Sequence, residues 1–539
     1  MFASSGFGAL LKEGAKHYSG LEEAILRNID ACKTLSKMTR SSLGPHGMNK
    51  MVINHLDKLF VTSDAATIIR EVEVNHPAAR MIAMAAKMQE SEAGDGTNFI
   101  ISFTGELMLQ AEGLLKMGLH PSEILIGYEK GAKQALEIVE GLSCYSVKNI
   151  KDRTELQMCI RTAIASKQFG LEDFLSGLIA QASLHTMPAN PTKFNVDQVR
   201  VQKILGGTIN DSVVIHGMVV LRGSETSITN VQKAKIAIFN TSIEMQQGET
   251  KGTVLLKNAE DLLNYTKGEE SQFETFVQGL AEAGVNVVIG SGSISELALH
   301  FFEKYKIFTL KLMSKWELKR IAKSVGAVAV VKLGTPTPEE LGFADEVIVK
   351  EISSTKVTVF RRDEDENKLS TIVLRGSTNT LLDDAERAID DGVNTVKSLV
   401  KDKRCLPGGG ATEIHLASKI QAYAKTQPGL DQYAIEKFGQ AFEVIPRTLS
   451  ENAGLKAEEI LAKLYAETVK SPNQGIDVSD GEVKDMVEAA ILDSMEVKTW
   501  AIKLSIDAVL TILRVDQIIM SKPAGGPKPR DQQAPDLDD

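Results

Sequence analysis

The chain has 539 residues, 43% hydrophobic and 24% charged, the balance of a globular protein long enough for three or four domains. Its 61 basic and 71 acidic side chains leave a net charge of −10, which removes any overall attraction to nucleic acid. Four cysteines (Cys32, Cys144, Cys159 and Cys405) form no CxxC pair, and nine scattered histidines form no HExxH, so zinc-ribbon, thioredoxin-like and disulfide-framework readings are disfavoured. No apolar run is long enough to span a bilayer, and the opening MFASSGFGALLKEGAKH is cut by Lys12 and Glu13, unlike a signal or transit peptide. A reducing cytosol is expected, without nucleic-acid or membrane partners.

In chain order, the first segment of interest is SLGPHGMNK (42–50). Gly44 and Pro45 make a sharp turn there, and Gly47 lets backbone approach a bulky anion, although such a turn in isolation carries little meaning. Asp64, in TSDAAT (62–67), is either a helix cap or a carboxylate able to orient water. Next, GDGTN (94–98) precedes the apolar run FIISF and a helical stretch from Gly105 to Leu115. A turn of this kind presents free N–H groups to a phosphate, and Asp95 is suited to a divalent cation bridging phosphate oxygens; a plain helix cap is the alternative. From Pro121 to about Leu142, Ile124, Tyr128, Ala132, Ala135 and Val139 recur at helical spacing, with Ser122 as the cap.

Between about 215 and 375 the pattern turns mixed. AKIAIF (234–239), VNVVIG (285–290), VGAVAVV (325–331), DEVIVK (345–350) and KVTVFR (356–361) read as strands, with helices at 293–305 and 315–325. The stretch from Thr241 to Phe276 reads as an amphipathic protrusion. Further on, Asp391 in ERAIDDG (386–392) is a second candidate for activating water on a phosphoryl group, or else a solvated acid. LPGGGA (406–411) leads into a helix from Thr412 to about Ala424. Three glycines in a row suit close backbone approach to a ribose or base, or a flexible hinge. A last apolar stripe, Val497, Trp500, Ala501, Leu504 and Ala508, runs to about Arg514, and the tail from Lys522 is expected to be disordered. Neither a GxxxxGK[ST] loop nor a GxGxxG fingerprint occurs.

Taken together and in this order, LGPxGxxK, TxDxAT, GDGT, ASK (165–167), GGxxxDS (206–212), VLRGS, ERxxxD, PGGGA, GIDV (475–478) and LRVDQII (513–519) closely resemble the group II chaperonins, over about residues 12–526. The resemblance implies a mainly α chain with an α/β inserted domain, in a three-domain chaperonin fold: equatorial, intermediate, and apical with a built-in helical lid. The boundaries expected are 1–148 and 406–524 for the equatorial domain and 149–215 and 373–405 for the intermediate one. The apical domain would span 216–372, with the lid near 241–276, and 525–539 would be a disordered tail.

It also implies a Mg²⁺-dependent ATPase that drives protein folding. Leu43, Gly44 and Pro45 would pack around ATP or ADP, Asp95 would ligate Mg²⁺, and the amides of Gly96, Thr97 and Asn98 would cradle the phosphates. Phe99 and Ser166 join this nucleotide-binding set. Asp391 would position the attacking water with Asp64 assisting, Lys167 would sense the γ-phosphate, and Gly408, Gly409 and Asp493 would meet the ribose and base. The partners implied are paralogous subunits of a two-ring hetero-oligomer and unfolded cytosolic clients, including actin and tubulin. Three positions depart from the common pattern: Ala65, Asn98, and Asp390, which is expected to add negative charge beside the reacting phosphate. A subunit that holds nucleotide with little turnover is the rival reading; a free-standing small-molecule kinase leaves the protrusion unexplained.

Overall fold

The structure is a computed structural model and describes residues 16–19, 24–244, 259–362 and 369–520. Its largest core is assembled from both chain halves. Helices Leu26–Arg40, Pro77–Glu92, Thr97–Lys116 and Pro121–Gly141 pack with Ala411–Ala424, Asp431–Ala441 and Met495–Leu513. The helix Thr97–Lys116 runs through its middle because its apolar residues are not confined to one stripe: Phe99, Ile100, Ile101, Phe103, Leu107 and Met108 are all buried. The run FIISF, read from sequence as preceding a helix at Gly105, is therefore that helix's own first turns. Phe103 lies 4.4 Å from Phe442 and 6.1 Å from Phe438, which in turn lies 5.6 Å from Tyr128. Fully burying a side chain of this size contributes roughly 1.5–3 kcal/mol, so these rings weld sequence-distant segments into one body.

A second core gathers residues 147–214 with 372–405. Here helices Arg153–Ala165, Glu172–Thr186 and Asn379–Lys401 cover a three-stranded sheet in which Ser370–Gly376 lies between Val199–Leu205 (parallel) and Val213–His216 (antiparallel). The chain passes between the two cores twice, at Tyr145–Ser146 and Arg404–Pro407. These short strands lie side by side, with Cys405 opposite Tyr145. Cys144 also meets Cys405 there, its Sγ donating to the Cys405 carbonyl at 3.5 Å, and all four cysteines are free.

The middle of the chain builds a seven-stranded mixed sheet in the order Phe308–Lys311, Val287–Gly290, Asn230–Phe239, Gly342–Ile352, Thr355–Arg361 and Met218–Val220, with Ala329–Val330 also paired to Asn230–Phe239. Alternation along Asn230–Phe239 serves both faces: Ile236 and Ile238 join the core under helix Lys315–Val325, while Ala237 and Phe239 join the core under Glu296–Lys304. Helix Ala259–Glu282 carries Phe273 and Phe276 into that second face, so it continues past the protrusion end expected at 276. Residues 245–258 of that protrusion, and the expected tail, lie outside the described residues. The VGAVAVV run keeps only Ala329–Val330 as strand, because Lys315–Val325 extends its helix to a left-handed Gly326. The helix Pro121–Gly141 is capped two residues earlier than expected, with the His120 ring accepting from the Ser122 amide.

Candidate nucleotide site

A cavity of about 280 Å³ opens where the first two cores meet, and its walls come from many elements far apart in the sequence. Two are helix starts of the same unusual kind. Gly96 and Gly410 occupy the N-cap positions of Thr97–Lys116 and Ala411–Ala424 in left-handed conformation, with φ of 82° and 77°, and no side chain caps either helix. Their first-turn N–H groups are thus left to whatever enters the cavity, where the positive ends of the helix dipoles favour an anion. Only glycine fits this backbone comfortably: a Cβ on Gly96 would stand 3.1 Å from Val497 Cγ1, and one on Gly409 only 2.7 Å from the Ile476 carbonyl oxygen.

The acidic wall is built around one cation. Lys167 follows the C-terminus of helix Arg153–Ala165, and its Nζ lies 2.9 Å from Asp64 Oδ1 and in direct ion-pair contact with Asp391. The side chains of Lys167, Asp64 and Asp391 are only 12%, 10% and 13% exposed. Asp64 caps helix Ala65–Val72, accepting from the Thr67 amide at 3.0 Å and the Thr67 hydroxyl at 2.7 Å. Burial pushes the Asp64 carboxyl up, but the Lys167 charge and these hydrogen bonds outweigh it and hold the group well below the usual range. The opposite balance holds next door. Burial, reinforced by Asp95 and Asp64, raises Asp391 well above an ordinary carboxyl despite Lys167. Burial raises Asp95 too, against Lys167 and the Gly96 amide, which donates to Asp95 Oδ1 at 2.6 Å. Lys167 itself is raised well above the usual lysine value: burial opposes its charge, and Asp391, Asp64 and Asp95 prevail. Three carboxylates share one ammonium, so the wall is short of positive charge.

The residues singled out in the sequence largely converge. Leu43, Gly44, Pro45, Asp64, Asp95, Gly96, Thr97, Asn98, Phe99, Ser166, Lys167, Gly409 and Asp493 all line the cavity. Asp391 and Gly408 do not. Asp391, on helix Asn379–Lys401, stands behind Lys167, and Gly408 packs beside strand Leu492–Ser494, its N–H donating to the Ile491 carbonyl at 3.0 Å. Asn98 ties the phosphate-type turn to the 42–45 loop, its Nδ2 donating to the Ser42 hydroxyl at 3.1 Å and the Thr39 carbonyl at 3.3 Å. Asp390 does not add charge at the cavity. One helix position from Asp391, it turns toward Glu386, Arg200 and Lys203; burial, then Glu386, pushes its carboxyl up to about 6, although the residue keeps more than a third of its surface in solvent.

Two further cavity residues were given no site role by the sequence reading, although Lys498 follows Leu492-Asp493 among the motifs that carry the resemblance. Glu413, 1% exposed in the first turn after the triple glycine, pairs with Lys498 at 2.6 Å; Lys498 also holds Asp493 at 3.0 Å and sits 4.9 Å over the Phe99 ring. The sequence signal for Lys498 was slight, since it is one of three charges, with Lys503 and Asp507, between Val497 and Ala508.

A model of the TCP-1/cpn60 chaperonin family matches residues 35–523. T-complex protein 1 subunit theta of Gallus gallus is 54% identical over 527 residues, covering 97% of this chain and 96% of that protein. The proteins of the same name from Dictyostelium discoideum and Arabidopsis thaliana are 51% and 50% identical, covering 99% and 97% of this chain and 100% and 96% of their own lengths. A chain matched by the family model over most of its length, with relatives this similar from end to end, belongs to the TCP-1/cpn60 chaperonin family.

Proposed function

We propose that the chain is an ATP-hydrolysing subunit of the eukaryotic cytosolic chaperonin, a hetero-oligomeric double ring that encloses and folds proteins such as actin and tubulin. The observation that carries this reading is the cavity: two uncapped helix N-termini face an acidic wall organised around Lys167. Donors for a polyphosphate and carboxylates for a water and a cation are gathered in one place. The all-helical core of both chain ends serves as the equatorial domain (1–148, 406–524) and the second core as the intermediate domain (149–215, 373–405). The inserted sheet serves as the apical domain (216–372).

The donor set fits Mg²⁺ brought in with the nucleotide. Asp95 and Asp64 stand in a wall with an excess of negative charge, yet among the described residues no three Asp, Glu, His or Cys groups converge to hold a metal alone. The remaining ligands must come from phosphate oxygens and water, the usual manner of Mg²⁺. Asp95 would hold the cation, which supplies charge neutralisation on the phosphate oxygens. The first-turn amides of Thr97, Asn98 and Phe99 bind and orient the polyphosphate, the Gly96 amide being engaged by Asp95, and Asp493, fixed by Lys498, meets the sugar side.

Lys167 is the switch in this arrangement. A γ-phosphate competes with Asp391 and Asp64 for its ammonium. Drawing Lys167 toward the phosphate frees the Asp391 carboxylate, whose raised pKa suits it to accept a proton from the attacking water. Lys167 follows helix Arg153–Ala165 of the second core, so its movement is transmitted to that body, and rigid domains then close the chamber about the paired crossings at 145–146 and 404–407. The engagement of Asp391 by Lys167, off the cavity wall, also favours a second reading: a subunit that holds nucleotide with little turnover.

Native purification of the tagged chain tests the assembly. A particle of roughly 0.9 MDa, sixteen chains of about this chain's 58.5 kDa and of distinct sequence, is expected. A ring of this chain alone would remove the hetero-oligomeric assignment, and a monomer would remove the chamber.

A further inference from the structure

A second cavity, of about 270 Å³, lies between the three-stranded sheet of the second core and the inserted seven-stranded domain. Its lining is cationic. Arg200, on strand Val199–Leu205, faces it from one body, and Arg320 and Lys323, on helix Lys315–Val325, face it from the other. Asn195, Gln198, Asp197 and Ser324 complete the polar wall, and Met218 and Leu369 supply the apolar part.

None of the three cations has an ion-pair or hydrogen-bond partner among the described residues. Instead Arg200 is set against Arg320, and burial followed by that like charge depresses its guanidinium below the usual value. Asp197, Asp390 and Glu386 act on Arg200 in the opposite sense without reversing the balance, and Asp390 has its own carboxyl pushed up to about 6. Two arginines held together beside a lysine, with amide donors within the same walls, form a receptor for a compact polyanion that presents several oxygens to planar guanidinium forks.

We propose that this cavity binds a small phosphate-bearing anion of the pyrophosphate class, separate from the nucleotide cavity, and that the bound anion bridges the second core to the inserted domain. Its position follows from the cations alone: each body contributes part of the charge, so neither makes the site by itself. Occupancy links strand Val199–Leu205 to helix Lys315–Val325 and resists any movement that parts them.

The test is calorimetric titration of inorganic pyrophosphate into the full-length chain, with and without saturating ADP. The comparison is the double variant Arg320→Ala, Lys323→Ala. Both residues are exposed on a helix surface, so the fold should tolerate their loss. One pyrophosphate per chain that survives saturating ADP is expected. Its affinity should weaken at least tenfold in the variant and fall as salt rises, while the variant's ADP affinity at the nucleotide cavity is unchanged. A second ADP per chain, lost in the same variant, would supply the same phosphate chemistry from a nucleotide and would also support the site. Absence of any saturable component beyond the one ADP displaces, or equal binding in the variant, would overturn it. So would binding that appears only after the acidic stretch 363–366 is neutralised, since the occupant would then be a segment of this chain.

Discussion

Replacing Lys167 by Met removes the single cation from among three carboxylates. In the native chain its Nζ stands 2.9 Å from Asp64 and directly against Asp391, with all three side chains nine-tenths buried or nearly so. A unit-charge pair at such range is worth about 6 kcal/mol at the effective dielectric of about 20 that suits protein sites. Breaking a buried pair by deleting one partner costs about 3–5 kcal/mol, because the survivor keeps its desolvation penalty. Asp391 can escape that penalty by taking a proton, since its pKa already stands well above normal, whereas Asp64 is held ionised by Thr67. The loss near pH 7.5 is therefore expected at about 3–5 kcal/mol rather than twice that.

The sign of the pH dependence follows from linkage. In the variant the folded-state carboxyl values of Asp391 and Asp95 rise further above their unfolded values. The penalty is then full above those folded values and shrinks as pH falls toward about 3.9, by up to about 1.4 kcal/mol per pH unit for each proton taken up. Asp64 runs the other way in the native chain: its lowered value contributes stability above its unfolded pKa that is lost as pH falls through the folded one. Urea unfolding of the full chain at pH 8 and pH 6 measures both effects. Transition midpoints are the quantity to compare, because a multidomain chain need not unfold in one step. A variant midpoint equal to the native one at pH 8, or a deficit that does not shrink at pH 6, would refute the reasoning.

Other substitutions probe the cavity's parts. Gly409→Ala places a Cβ 2.7 Å from the Ile476 carbonyl oxygen and 2.6 Å from Met486 Sδ at a backbone φ of +59°, so a loss of about 2–4 kcal/mol and a weakened nucleotide affinity are expected in thermal and binding titrations; an unaltered melting temperature would contradict this. Asn98→Ala removes the bonds to Ser42 and Thr39 and should cost about 1–2 kcal/mol while raising the nucleotide Kd; stability lost without any change in Kd would separate the loop from binding. Asp390→Asn should stabilise the chain at pH 7–8 and change little near pH 4. A carboxyl raised to about 6 is protonated in the fold below that value and carries its cost above it, and thermal melts across this range would show a reversed trend if the group were not raised.

Much of this was legible in the sequence because the chemistry sits in short, locally defined motifs. GDGTN and PGGGA declare glycine-started helices, and alternating apolar runs such as AKIAIF declare strands. What the sequence withheld was the outcome of packing. The FIISF run gave no sign of belonging to a helix because a helix buried all round has no polar face to set its period. VGAVAVV looked like a strand from Val325 to Val331, but its first residue already closes the preceding helix at Gly326. Asp390 and Asp391 are neighbours in sequence yet point to different partners, a separation of one helix step that only the placement of Lys167 and Arg200 resolves. The Glu413–Lys498 pair joins residues 85 apart, beyond the reach of any local pattern.

The most direct test of the proposed ATPase is the rate of nucleotide hydrolysis by this subunit after Asp391→Asn, in assembled particles whose other subunits are rendered inactive. Turnover is expected to fall by about 10²- to 10⁴-fold, the usual contribution of a positioned base, while nucleotide affinity stays close to native because Asp391 lies off the cavity wall. Unchanged turnover would contradict the role given to Asp391 and the Lys167 switch, and turnover absent from the native subunit as well would leave a chain that holds nucleotide without hydrolysing it.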